Sequence, residues 1–106
     1  MNYNNKSITN VDKLTPELDE WKIIVTVERR TPLKQGQNGP YFFATLNDIN
    51  KKKIALKFWN DGAAYFDDQI TEGSHRYIIE GSGDLIQNAR DSSYTRNPFE
   101  ITINYE

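Results

Sequence analysis

The chain has 106 residues, thirteen Lys+Arg against fifteen Asp+Glu, a formal net charge of −2 and a sequence pI near 5.4. That length suits one compact domain, and that charge argues against a histone-like or broadly cationic nucleic-acid coat. Zero Cys excludes disulfides, thiolate catalysis and Cys-ligated zinc, while a single His, His75, excludes a multi-His metal site. No run approaches the roughly eighteen apolar residues of a membrane span, and the Asn-rich start is no signal peptide, so a soluble, intracellular domain is expected.

The charge is unevenly placed. Residues 21–59 hold eight basic side chains (Lys22, Arg29, Arg30, Lys34, Lys51, Lys52, Lys53, Lys57) against Glu28 and Asp48, a net of +6. Residues 1–20 sum to −2 and residues 60–106 to −6. Such a division points to one electropositive face, although scattered charges can also produce a lopsided window.

Residues 1–13 read as a polar tail or linker, and residues 14–106 as the folded domain. From Trp21 the period is two: Trp21, Ile23, Val25 and Val27 share one face of a predicted strand. Arg29 to Pro40, dense in Pro, Gly and Asn, reads as a long basic loop. The second predicted strand, Tyr41 to Asp48, turns Phe42, Ala44 and Leu46 inward and Tyr41, Phe43 and Thr45 outward. A turn over residues 49–53 leads to the third, about Ile54 to Trp59, with Ile54, Leu56 and Phe58 inward and Ala55, Lys57 and Trp59 outward. If that hairpin turns about residue 51, Phe43 faces Trp59 and Thr45 faces Lys57.

Asn60-Asp61 is expected to cap a short helix from Gly62 to about Gln69, with Ala63, Tyr65, Phe66 and Ile70 available for burial. A fourth strand covers about Ser74 to Gly81. A second polar loop runs from Ser82 through Asn97. The last strand opens at Pro98-Phe99 and places Phe99, Ile101 and Ile103 opposite Glu100, Thr102 and Asn104. Three strands, a helix and two more strands give an all-β, five-stranded Greek-key barrel of the OB type.

Two outward aromatics side by side, within a basic segment, suit single-stranded nucleic acid, because every base offers a π-face for stacking. Trp59 and Phe43 would form the platform. Lys57, Arg29, Arg30 and Lys34 would meet phosphates, and Tyr94 would close over a base from the other side. Each has a structural alternative: Trp59 as a cover for the barrel end, Phe43 as core after a one-residue slip, Tyr94 as an anchor for its own loop. Arg29 and Arg30 are adjacent, so at most one points to any given face. Lys51-Lys52-Lys53 reads as a solvated turn.

Catalytic and metal readings find no support. Asp61, Asp67 and Asp68 fit helix capping and solubility, and His75 has no carboxylate-serine partner in view. Gly81-Ser82-Gly83 lacks the Lys of a phosphate-binding loop. No enzyme, cofactor, metal or membrane partner is expected.

Leu14-Thr15-Pro16, Trp21-Lys22-Ile23, the run from Tyr41 to Asp48, the run from Ile54 to Asp61, and Tyr65-Phe66 together resemble the first high-affinity DNA-binding OB domain of the replication protein A large subunit. The resemblance covers nearly the whole chain after residue 13. It implies single-stranded DNA binding without enzymatic activity, in DNA replication or repair, within the nucleus and beside neighbouring OB domains or subunits. In that family the aromatic ending the third strand stacks on a base; the matching residue is Trp59. The second stacking aromatic matches Tyr94, a basic residue of the first long loop matches Lys34, and Lys57 matches the outward position two before the aromatic. The first long loop is shorter here, Gly36 replaces its aromatic, the third-strand basic residue is shifted by two positions with Ala55 in its place, and the 82–97 loop is longer and holds Asp84 and Asp91. These departures also suit a telomere- or telomerase-associated relative with G-rich DNA as its ligand. Protein–protein assembly through Trp59 and Phe43, and RNA binding, remain as alternative functions for the same fold. A lone module of this kind is expected to bind weakly and with strong salt dependence.

Overall fold

The computed structural model describes residues 7–105. The first strand, β1 (Glu20–Arg30), follows the period-two pattern: Trp21, Ile23, Val25 and Val27 are fully buried. The Trp21 indole donates to the Ser82 carbonyl at 2.7 Å, so burying the large ring strands no donor. A Cβ at Gly81 would meet that ring at 2.6 Å, so glycine there makes room for it.

The segment from Arg29 to Pro40 is no open loop. β1 continues to Arg30, and β2 (Lys34–Gly36) pairs with the start of β3 (Gly39–Asn47) as a short hairpin. Gly39 adopts φ +124 at its turn, a conformation that L side chains rarely reach. β3 and β4 (Lys53–Trp59) pair antiparallel with Phe42, Ala44, Leu46, Ile54, Leu56 and Phe58 buried, as the alternation requires. Their register differs from expectation by two residues. Tyr41, not Phe43, lies opposite Trp59, and Phe43 lies opposite Lys57. The turn is organised by Asp48, whose Oδ1 accepts from the backbone N–H of Asn50 and Lys52, and Lys51 sits at φ +64.

The helix α1 (Asn60–Phe66) starts two residues earlier than expected and has no side-chain N-cap; Trp59 holds the cap position in extended conformation. Ala63 is buried and Phe66 packs on the core, but Tyr65 is exposed. β5 (Gly73–Ser82) returns along β1. The loop expected over 82–97 contains a 3-10 turn (Gly83–Leu85) and a short strand, β6 (Ile86–Asn88), that buries Ile86. β7 (Phe99–Tyr105) closes the chain.

The strand order is β5-β1-β3-β4-β7-β6, with β2 beside β3; the β4–β7 pair is parallel and every other pair is antiparallel. The sheet curls strongly around one hydrophobic core, and the fold is an all-β OB domain. The expected polar tail enters this core at one point. Val11, in a 3-10 turn (Val11–Lys13), is wholly buried, and the Thr9 N–H donates to the Lys22 carbonyl at 2.7 Å. The first six residues of that tail lie outside the described residues.

Candidate nucleic-acid interface

Side chains pointing away from the core across β3, β4 and β7 fall into rows, because directly paired residues share a face. The first row is Lys34, Tyr41, Trp59, Asn104. The second is Phe43, Lys57, Thr102, and the third is Arg29, Thr45, Ala55, Glu100. Tyr41, Phe43 and Trp59 therefore meet as a three-ring cluster at one end. The Tyr41–Trp59 centroids are 5.7 Å apart, Tyr41–Phe43 5.4 Å, and Phe43–Trp59 5.3 Å with the rings edge to face. The contact expected between Phe43 and Trp59 exists, but diagonally. Tyr41 is the residue sequence reasoning left out of the site, although its outward place two positions before Phe43 was the available signal.

The basic residues divide. Lys34, on β2, is exposed and stands directly opposite Tyr41. Arg29 and Arg30 are sorted by a β-bulge: the β1–β3 register shifts between Val27 and Arg29. Plain alternation would turn Arg29 inward after Val27; the extra residue at the bulge turns it outward opposite Thr45, and Arg30 inward opposite Ala44. Arg30 thereby lies on the face opposite the ring cluster. Its guanidinium lies 3.9 Å from the Phe42 ring centroid, pairs with Asp67 at 2.6 Å and donates to the Asp67 and Ile70 carbonyls that follow α1. Lys57 keeps its outward position but is engaged. Its Nζ is 3.0 Å from Glu100, with the two side chains only 15% and 8% exposed, and it lies 5.0 Å from the Phe43 ring centroid.

Tyr94 does not stand over Trp59. Its ring lies 5.6 Å from the Arg29 guanidinium and 5.5 Å from Lys53 Nζ, at the opposite end of β4. Its hydroxyl donates to Glu28, which also accepts from Lys53 and from Asn47 Nδ2 at 2.9 Å. Lys53 first, and the Tyr94 hydroxyl second, hold the Glu28 carboxyl down at about 2. The same carboxylate raises the Lys53 ammonium and the Tyr94 hydroxyl above their ordinary values. Six residue steps along β4 separate Lys53 from Trp59, about 20 Å at a strand's rise per residue.

No group of three or more His, Asp or Glu side chains is placed to hold a metal ion among the described residues. His75 packs edge to face on Tyr77 at 4.7 Å.

No protein-family profile matches the sequence, and no curated protein does. Among solved structures, the chain is similar to one chain of a replication protein A heterotrimer bound to ssDNA, with a TM-score of 0.76 and 24% identity over 91% of this chain. It spans 22% of that chain's length.

Proposed function

We propose that this chain is a single-stranded-DNA-binding OB module, with Tyr41, Phe43 and Trp59 as its stacking surface. The observation that carries the reading is the cluster of three outward rings across β3 and β4, flanked by Lys34 on one side and by Arg29 farther along the strip. Tyr41, Phe43 and Trp59 are each half-buried on the outward face, and such rings offer π-faces on which nucleobases stack. The fold it shares with a chain of a DNA-bound replication protein A heterotrimer supports the same reading. Stacking dominates affinity here, with Lys34 and Arg29 as phosphate contacts and Tyr94 as a second, more distant platform.

By the same resemblance the module works within a larger nuclear assembly in replication, repair or telomere maintenance. Fluorescence anisotropy with a labelled eight-nucleotide dT strand tests binding: Trp59→Ala should weaken it by about 1–3 kcal/mol, the usual worth of one stacked base. Equal binding by wild type and Trp59→Ala would remove the platform. RNA of matching sequence, added as competitor, decides the sugar preference.

A further inference from the structure

Beside the ring cluster, the β2–β3 turn, the start of α1 and the end of β7 enclose a cleft of about 530 Å³, within the span of small-ligand clefts. Tyr41 and Trp59 form its apolar wall, and Asn60 and Asn104 its polar one. Asn60 Nδ2 donates to Asn104 Oδ1 at 2.7 Å, which leaves Asn60 Oδ1 and Asn104 Nδ2 with no hydrogen-bond partner among the described residues. Two features accommodate Asn60 there. It adopts φ +60, which Asn tolerates better than most residues, and Gly39 leaves room for its Oδ1, with which a Cβ there would collide. The hydrogen-bonded carboxamide pair offers one acceptor and one donor next to an aromatic wall.

We propose that this cleft takes one nucleobase, stacked on Trp59 or Tyr41, and that Asn60 Oδ1 and Asn104 Nδ2 read its Watson–Crick edge. The inference rests on the single-stranded-DNA reading above and adds recognition of the base edge to it. All four bases carry a donor beside an acceptor on that edge, and unpaired bases leave it open to protein. With thymine, N3–H donates to Asn60 Oδ1 and a ring carbonyl accepts from Asn104 Nδ2.

The test compares an eight-nucleotide dT strand with one built wholly from N3-methylthymidine, which keeps phosphates and π-faces but blocks the edge. Wild type should bind the methylated strand roughly tenfold more weakly, the worth of one or two hydrogen bonds. Asn60→Gly, which keeps the backbone conformation, should bind the two strands nearly alike, whereas Asn104→Ala, an exposed strand-end change that removes only the carbonyl contact, should bind the dT strand more weakly than wild type does. Equal wild-type affinity for both strands overturns the proposal, as does discrimination that survives undiminished in Asn60→Gly or dT binding that is unchanged in Asn104→Ala. Trp59→Ala should weaken both strands together. Failure of that control, or no binding to either strand, overturns the stacking reading instead, so the two failures are told apart.

Discussion

Lys57 and Glu100 form a 3.0 Å ion pair on the outward side of the sheet, across the parallel β4–β7 ladder, with little solvent at either end. A buried pair of this kind is a weak source of stability, yet removing one partner leaves the other charge without compensation. Lys57→Met should therefore destabilise the domain by about 3–5 kcal/mol in urea denaturation, and adding Glu100→Gln should recover most of that. A Lys57→Met protein that keeps its stability but loses DNA affinity would return Lys57 to phosphate binding.

The bulge after Val27 makes two adjacent arginines behave oppositely. Arg30→Ala removes the guanidinium bonds to Asp67 and to the Ile70 carbonyl, together with its contact on Phe42, and should cost about 2–4 kcal/mol. Once the protein is folded, its DNA affinity should be unchanged. Arg29→Ala should do the reverse, with stability within about 0.5 kcal/mol of wild type and weaker DNA binding. Identical profiles for the two variants would contradict the register.

That bulge also marks where the sequence stops being legible. Period-two alternation identified the core faces of β1, β3 and β4, because a buried face demands apolar residues at every second position. Nothing in Val27-Glu28-Arg29-Arg30 announces an extra residue, since the bulge shows only in the pairing of β1 with β3, a segment distant in sequence. The β3–β4 register failed for a related reason. The Asp48 side chain and the left-handed Lys51 close the turn one residue earlier than a turn centred on residue 51, which moves every pairing by two. Faces survive a two-residue error, so Phe43 and Trp59 were still recognised as outward. Asn60 and Asn104 were not, because their meeting depends on the parallel β4–β7 contact, a pairing of distant segments.

The clasp around Glu28 predicts a pH dependence with a definite sign. Its carboxyl titrates at about 2 in the folded chain against an ordinary 4.5, so the clasp stabilises the fold above the higher value. That contribution fades as pH falls from about 4.5 towards 2, where the folded-state carboxylate takes up its proton. Urea denaturation at pH 5, 4 and 3 should show wild type losing stability faster than Glu28→Gln. Parallel curves would mean that Lys53 and Tyr94 do not hold the carboxylate in solution.

Salt dependence separates stacking from charge. Of the eight basic residues between 21 and 59, Arg30, Lys53 and Lys57 are held in ion pairs with Asp67, Glu28 and Glu100. Those three ion pairs reduce the salt dependence that the +6 segment suggests. With Arg29 and Lys34 as the phosphate contacts, the slope of log K against log salt should be only about −1.4, from roughly −0.7 per phosphate on single strands. Titrations between 50 and 200 mM salt measure it, and Lys34→Ala should flatten it by about half. A slope steeper than about −3 would show that basic side chains beyond Arg29 and Lys34 meet the DNA, and would return the electrostatic role to the wider basic segment.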